Sequence, residues 1–489
     1  MDMFKKKSLY AALAGMSALG AVGAAQAVNL NPDGLGQVLI YPYYTVRNVL
    51  PDTPAAPGTV VLTAPFNTLL SVVNSTASAK AVKVRFLEGR NSREVLDFNL
   101  YLSAKDVWGA ALVPNDAGGA TMLVTDKSCT LPRIPAVGVP FRALAYSSDG
   151  AGSTLDRTKE GYIEIIEMAT YDDASTTAQN ITHSSGVPDD CAAQTDALGA
   201  SEAQPPNGGL FGGVTLINVL EGSAYSADAV ALDNYSIAPL YTGAGFDTPN
   251  LENASPPISV VVTDGVVYRS TWVPGTADPV SAVLMHDTIM NEYVLDLETA
   301  SATDWVVTFP TKRYYVANGT GPASSLFQRN FNKTAGACDD VSLTIYDREE
   351  QTTFADLDFS PLPEEGSTCL PWEANVISFG NLRTVFHSAN GEKVNPPAGF
   401  QHGWMQLGFQ PVTVTGFVHT LRNNFTVSAP LGEQFGSSGP ATYVGLPVIG
   451  FAAQSFFNGT LNVENKLVQS TYGGNFVQKG TRLILTDED

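Results

Sequence analysis

The chain has 489 residues, a length that favours two or three domains over a single core. Its formal net charge is −21, with 48 acidic against 27 basic side chains, which disfavours binding to nucleic acid or to anionic lipid surfaces. The 44 Gly and 30 Pro punctuate short apolar and alternating segments, and long helical periods are almost absent. This composition predicts an all-β protein.

The first residues have the pattern of a secretory signal peptide. Lys5–Lys7 precede an Ala- and Gly-rich apolar run over Ser8–Ala24, and Ala25–Ala27 fits a small-x-small cleavage site. No later apolar run is long enough for a membrane-spanning helix, so we expect no transmembrane segment in the mature chain. We therefore predict that residues 1–27 are removed and that the protein is extracellular or on the cell surface, with the periplasm as the alternative.

Strand patterns dominate the start of the mature chain. Gln37–Val46 is an extended aromatic segment in which Pro42 predicts an edge strand or a bulge. Thr68–Trp108 holds an apolar strand at Leu69–Val73, followed by two alternating ones, Ala81–Leu87 and Leu96–Leu102. Alternation predicts a sheet with one buried and one wet face. The polar side chains expected on the wet face are Lys83, Arg85, Asp97 and Asn99.

We predict two antiparallel β-sandwich domains of immunoglobulin-like type, with short helical turns and long loops. The first sandwich covers residues 28–170, and the second covers residues 210–489. Between them, residues 171–209 lack a sustained period and form a disulfide-tethered insertion or linker.

Three local signals stand out in the second region. Asp264-Gly265 lies between two β-branched runs and is the strongest hairpin signal in the chain. Ser226–Leu232 and Pro279–Tyr293 have patterns that favour short helices.

The four cysteines are Cys129, Cys191, Cys338 and Cys369. An even number in an exported chain favours two disulfides, and pairing in sequence order is the simplest of three connectivities. Each bond would stabilise the fold by roughly 3–4 kcal/mol in the chain-entropy description. The absence of a CxxC motif argues against thioredoxin-like or zinc-ribbon chemistry.

Catalytic signatures are missing from the sequence. The five histidines are too far apart in sequence for HExxH or HxH metal binding, and no nucleophile elbow, Walker loop or dinucleotide fingerprint occurs. Glu164 and Glu167 are three residues apart on a predicted strand, so they point to opposite faces and do not suit a general acid/base pair. We therefore expect no catalytic residues and no enzymatic activity.

Two segments are candidates for ligand binding. Ser148–Asp156 offers Asp149 and Asp156 as calcium ligands, although the spacing is not that of an EF-hand and a polar turn is the alternative. Beyond calcium, no cofactor is expected. Near the mature N-terminus, an aromatic group can stack on sugars, cover a sheet edge or contact a neighbouring subunit; its members are Tyr41, Tyr43 and Tyr44.

The amino-acid sequences of five segments resemble a group of exported proteins of Gram-negative environmental bacteria that are described as cell surface proteins. These segments are Gly34–Arg47 together with Thr68–Trp108, Asp304–Val316, Gly445–Phe457 and Tyr472–Phe476. Leu69–Leu102 separately resembles immunoglobulin-like modules of bacterial surface proteins. The resemblance implies export and a surface role, and it implies no catalytic residues.

Two classes of function follow from these patterns. The first is a non-catalytic secreted or cell-surface protein with a structural or adhesive role, whose partners are itself or other cell-envelope components. In one version of it, Gly34–Val46 adds as a strand to a neighbouring subunit rather than pairing within its own sheet. The alternative class is an exported carbohydrate-binding or carbohydrate-active protein, with glycans as ligands.

Overall fold

The structure, a computed structural model, describes residues 26–49, 64–316, 324–354, 357–358, 369–380, 384–409, 418–463 and 466–486. Residues 1–25 of the predicted signal peptide lie outside this set. The described residues are nearly all β, which confirms the predicted fold class of antiparallel sandwich type. Their three α-helices are short, at Thr176–Ile181, Asp196–Ser201 and Asp278–Leu284, and two 3₁₀ turns lie at Leu155–Lys159 and Lys312–Tyr314. None of these helices has the length and apolar character needed to cross a membrane.

Two seven-stranded sheets form the N-terminal part of the molecule. The central sheet has the strand order Asn29–Leu30, Val230–Asp233, Val38–Thr45, Glu160–Tyr171, Ala79–Glu88, Glu94–Leu102, Thr130–Leu131. The outer sheet has the order Val139–Pro140, Ala120–Leu123, Val107–Pro114, Ala64–Asn74, Leu210–Asn218, Ser223–Asp228, with Asn48–Val49 also paired to Ala64–Asn74. Alternating apolar side chains such as Val84, Phe86 and Trp108 fill the space between the two sheets, as in a sandwich.

The central sheet is buried on both faces, so the prediction of a wet face is wrong. Every residue of Ala79–Glu88 and of Glu160–Tyr171 is buried. Lys83 Nζ donates hydrogen bonds to the carbonyl oxygens of Gly243 (3.3 Å) and Phe246 (2.9 Å). These residues belong to a segment that crosses this face, residues 242–246, which we call the strap. The polar face is therefore covered by the chain's own later residues, which sequence alternation does not reveal.

The predicted boundary between residues 209 and 210 falls inside these sheets. Leu210–Asn218 pairs along its whole length with Ala64–Asn74, and Val230–Asp233 pairs with Val38–Thr45. The short helix predicted at Ser226–Leu232 is also wrong, because this segment supplies strands to both sheets. Hydrogen bonding to the neighbouring strands Leu210–Asn218 and Val38–Thr45 outweighs the helix propensity of the alanines in this segment.

Two larger sheets carry the C-terminal part. The open sheet has the order Thr352–Phe354, Ser342–Asp347, His402–Gly408, Thr288–Val294, Lys479–Thr481. The hairpin sheet has the order Leu357–Asp358, Gly391–Val394, Ala374–Phe379, Ala302–Thr308, Ile449–Val463, Lys466–Val477, with one parallel pairing between its second and third strands.

Smaller sheets complete the fold. Four strands pair in the order Ile258–Thr263, Val266–Thr271, Phe425–Pro430, Ser437–Gly439, and three in the order Thr420–Arg422, Ala441–Val444, Leu483–Thr486. Two-stranded pairs join His183–Ser184 to Val187–Pro188, Met285–His286 to Leu446–Pro447, and Asp339–Asp340 to Cys369–Leu370.

Local signals in the second region had mixed outcomes. The Asp264-Gly265 hairpin is confirmed, with both residues at positive φ (51° and 78°), as a two-residue turn of this type requires. Pro279–Tyr293 is only partly helical, because the helix ends at Leu284 and a strand of the open sheet begins at Thr288.

The N- and C-terminal parts share their cores. Tyr43 and Phe66 from the first part pack with Phe386 and Phe451 from the second. The buried Glu160 carboxylate accepts hydrogen bonds from the Tyr43 hydroxyl (2.8 Å) and from the backbone N–H of Ala389 (2.9 Å). Apolar and polar contacts thus both tie the two parts together.

Both predicted disulfides are confirmed. Cys129 pairs with Cys191 and Cys338 with Cys369, with Cα–Cα distances of 5.2 and 5.3 Å. The first bond anchors the predicted insertion, residues 171–209, which contains two of the short helices and lies against the central sheet.

Candidate functional site

The calcium candidates are occupied by basic side chains. The Asp149 carboxylate accepts two hydrogen bonds from the Arg157 guanidinium (2.8 and 2.9 Å), while Asp156 accepts one from Arg47 (2.7 Å) and pairs with Lys159 (3.0 Å). Burial acts to raise the pKa of both carboxyls, but these basic partners hold it below the usual value. The two aspartates therefore serve separate ion pairs, and a calcium ion would have to displace guanidinium groups to bind them.

Elsewhere in the described residues, no cluster of three or more His, Cys, Asp or Glu side chains has an arrangement that would hold a metal ion. Calcium binding stays a prediction without a converging set of oxygen ligands.

The N-terminal tyrosines do not form a sugar-stacking surface or a sheet-edge cover, and that interpretation is wrong. Tyr41, Tyr43 and Tyr44 are fully buried. Val38–Thr45 is flanked in the central sheet by two strands of its own chain, so the segment proposed for donation to a neighbour is already paired. Pro42 lies at a register shift within that sheet, which confirms the bulge. On its other side the strand is paired at Val38–Ile40.

Glu164 and Glu167 are both buried and paired with cations. The Glu164 carboxylate accepts a hydrogen bond from Arg85 Nη1 (2.6 Å), and Glu167 accepts one from Lys80 Nζ (2.5 Å). Because each carboxylate has its own cation, the two glutamates form structural ion pairs and are not arranged as an acid/base pair on a shared substrate.

One Ser/His/Asp neighbourhood exists near the first disulfide, but its geometry is not that of a hydrolase. His183 Nδ1 lies 3.2 Å from Ser103 Oγ and 3.8 Å from Asp106 Oδ2. In a catalytic triad the serine and the aspartate contact opposite ring nitrogens, so that the ring can relay a proton. Here both side chains approach the same nitrogen.

A cavity of about 660 Å³ opens beside the Cys129–Cys191 disulfide. Its charged lining mixes acidic side chains with basic ones: Asp126, Asp189, Asp190, Lys127 and Arg133. Such a balanced lining selects for neither sign of charge, and it offers no aromatic face for stacking.

Two stacked aromatic pairs reach the surface of the C-terminal sheets. The rings of Tyr346 and Trp404 lie 4.2 Å apart between centroids and within 7° of parallel, on the open sheet. Phe456 and Tyr472 stack at 5.1 Å and 13° on the hairpin sheet. Sequence reasoning missed both pairs. The available signal was an aromatic residue at a polar-face position of two alternating strands, Ser342–Asp347 and His402–Gly408.

The last two strands of the hairpin sheet extend beyond their neighbours. Ile449–Val463 pairs with Ala302–Thr308 only through Ser455, whereas its pairing with Lys466–Val477 continues to Val463. We call this pair of strands the terminal hairpin. In the part of the chain that the structure describes, Lys466–Val477 is the last strand of its sheet. The end of this strand is covered by the same chain, because Asn475 Nδ2 donates to the Ser226 carbonyl (2.6 Å) and Asn291 Nδ2 donates to the Phe476 carbonyl (3.1 Å). Before that end, no described strand is paired to its far side.

Neither a protein-family model nor a curated protein matches the chain.

Proposed function

We propose that the mature protein is an exported, non-catalytic surface protein with a structural or adhesive role, and that it self-associates through the terminal hairpin. The signal-peptide pattern and the two disulfides support export to an oxidising compartment. The observation that carries self-association is the strand Lys466–Val477, which ends its sheet. Before the part that Ser226 and Asn291 cover, this strand leaves an edge to which a further strand can pair.

Side chains on this strand favour contact with another apolar surface. Tyr472 is 50% exposed, and Phe476 and Val477 are exposed as well. Tyr472 and Phe476 are separated by four residues along the strand, so they share a face. Exposed aromatic side chains next to an open sheet edge are typical of interaction sites.

The distribution of charge also favours the terminal hairpin as the contact between two copies of the chain. Residues 449–477 contain one Glu and one Lys, and so carry no net charge, in a chain whose total is −21. Two copies of an acidic protein repel each other over most of their surfaces. The repulsion is smallest where neutral segments meet, which directs association to the terminal hairpin.

The test is sedimentation velocity on the mature chain, residues 28–489, over a range of concentrations. We expect the wild type to form dimers or larger assemblies, and we expect Tyr472→Lys and Phe476→Lys each to shift the population to monomers. A charge on the exposed face of an edge strand opposes edge-to-edge pairing.

The matched control is Phe425→Lys, because Phe425 is also 50% exposed but lies on an inner strand of the four-stranded sheet. It is expected to assemble as the wild type does. A wild type that stays monomeric at every concentration, or equal loss of assembly in the control, would overturn the proposal.

A further inference from the structure

The open sheet presents a mixed aromatic and polar face to solvent. Its other face is apolar and buried, through side chains such as Ile345, Met405 and Tyr293. On the solvent face, Tyr346 and Trp404 lie directly opposite each other on neighbouring strands and stack. Trp404 keeps 37% of its surface exposed. Because one ring face of each residue is used in the stack, binding surface remains on the faces turned away.

Polar side chains surround the aromatic pair on the same face. Glu292 lies directly opposite Trp404 on the strand at its other side, and it is exposed. Gln406 follows Trp404 by two residues and is therefore also on this face, with Thr344 opposite it. A carboxylate, an amide and a hydroxyl thus occupy positions of the same face around the exposed indole. Glu292 lies directly across from it, Gln406 lies two residues along its strand, and Thr344 lies diagonally across.

We propose that Trp404 and Tyr346, with Glu292 and Gln406, form a binding platform for neutral glycans. A pyranose ring has an apolar C–H face that packs on an aromatic ring and an equatorial rim of hydroxyl groups. These hydroxyl groups need hydrogen-bond acceptors and donors at the edge of the aromatic surface. The carboxylate of Glu292 and the amide of Gln406 supply them. The platform lies on a different surface from the terminal hairpin, so this inference does not depend on self-association.

Size and charge favour a sugar over other occupants. The apolar part of the face is confined to one aromatic pair ringed by polar residues, which is much smaller than the contact that a stable protein partner buries. Glu292 and the nearby Asp296 are acidic, and the whole chain is strongly acidic. Anionic polysaccharides are therefore repelled, and neutral ones are the chemical class that fits.

The platform leads towards a cavity at the end of the sheet. His402 lies two residues before Trp404 on the same strand, and its Nε2 is 3.9 Å from Asp296 Oδ2. Asp296 in turn lines a cavity of about 330 Å³ together with Ser301, Phe400 and Gln401. This volume is at the lower end of the range for small-molecule sites. A chain of sugars on Trp404 would thus have a terminal unit close to further hydroxyl-binding groups.

Affinity electrophoresis of the mature chain tests the proposal. The probes are three neutral polysaccharides (galactomannan, xyloglucan and laminarin) and one anionic one, alginate, each cast into a native gel. We expect at least one neutral polysaccharide to retard the wild type and alginate to have no effect. Trp404→Ala should weaken binding by about tenfold or more, since it removes the stacking surface. Trp404→Phe should retain part of the binding, and Glu292→Gln should weaken it while the aromatic surface stays intact.

The matched control is Phe425→Ala, which removes a half-exposed aromatic side chain from the four-stranded sheet and should leave retardation unchanged. Far-UV circular dichroism of each variant checks that it is folded. The proposal is overturned if no neutral polysaccharide retards the wild type, if only alginate does, or if folded Trp404→Ala and Trp404→Phe both bind as the wild type does.

Discussion

The central sheet and the open sheet are built from the same kind of strand but have opposite environments. In both, apolar side chains alternate with polar or charged ones, as in Ala79–Glu88 and in His402–Gly408. In the central sheet Lys83, Arg85 and Asn99 are fully buried. The open sheet, in contrast, exposes Trp404 and Glu292. The difference comes from what lies on top, because the strap covers the central sheet and, among the described residues, no equivalent segment covers Trp404 and Glu292.

This contrast shows how charge can be kept inside a β-protein. The strap and the insertion 171–209 supply carbonyl groups and a carboxylate, so that the covered side chains keep polar partners: Asn99 donates to Asp196 (3.3 Å) and to the carbonyl of Thr242 (2.9 Å). Burying a polar group without such partners costs several kcal/mol. The open sheet needs no such partners, and its polar side chains remain available to ligands.

The largest effect is expected from removing a charge in the central sheet. Arg85 donates to Glu164 (2.6 Å) and Glu94 (3.0 Å), so Arg85→Ala leaves the Glu164 carboxylate buried without its cation. We expect the free energy of unfolding in guanidinium chloride to fall by about 3–5 kcal/mol. The double variant Arg85→Met/Glu164→Met should recover part of the loss, because no lone charge remains. A loss below about 1 kcal/mol for the single variant would show that the pair is not desolvated.

The next largest effect is expected from removing the Cys129–Cys191 disulfide, which anchors the insertion 171–209. Replacing Cys129 and Cys191 by Ser removes a link between residues 62 positions apart and should lower the free energy of unfolding by about 4 kcal/mol. Amide hydrogen exchange should speed up in residues 171–209 and stay unchanged in the open sheet. The matched control is the Cys338/Cys369 double replacement, which should leave exchange in residues 171–209 as it is. Equal exchange in both double variants would contradict a specific role for the first disulfide.

The buried carboxyl group of Glu392 in the hairpin sheet should make the stability of the protein depend on pH. Glu392 is buried, its Oε2 has no hydrogen-bond partner among the described residues, and burial raises its pKa from 4.5 to about 9. Between these values the folded state holds a proton that the unfolded state has lost, so stability falls as pH rises, by up to about 1.4 kcal/mol per pH unit. Glu392→Gln should flatten the decline measured by chemical unfolding at pH 6 and pH 8. Identical slopes for variant and wild type would refute the assignment.

The smallest effects are expected from replacing two amide side chains, one on the covered face of the central sheet and one on the exposed face of the open sheet. Asn99→Ala on the covered face removes two hydrogen bonds and should cost about 1–3 kcal/mol. Gln406→Ala on the open face should change unfolding free energy by no more than about 0.5 kcal/mol. Similar losses for the two variants, measured in the same unfolding experiment, would mean that the faces do not differ as described.

Much of the local structure could be predicted from the sequence. Alternation located the strands at Ala79–Glu88 and Glu94–Leu102, Asp264-Gly265 located a hairpin, and the cysteine count with sequence order gave both disulfides. These features depend on short-range rules, such as side-chain alternation and turn conformations that need positive φ. The candidate sites were predicted less well. Tyr41, Tyr43 and Tyr44 are buried, and the stacked pair of Tyr346 and Trp404 was missed because its members are 58 positions apart in the chain.

The sequence by itself determined that this protein is all-β and where most of its strands lie, and its four cysteines predicted two disulfides. Only the tertiary structure decided which polar faces are covered, which strand ends a sheet, and that Leu210–Asp233 belongs with the N-terminal sheets. The physical reason is that alternation specifies two different faces of a strand but not what packs on either of them. That choice depends on segments more than a hundred residues away, such as the strap that reaches Lys83 through the carbonyl groups of Gly243 and Phe246.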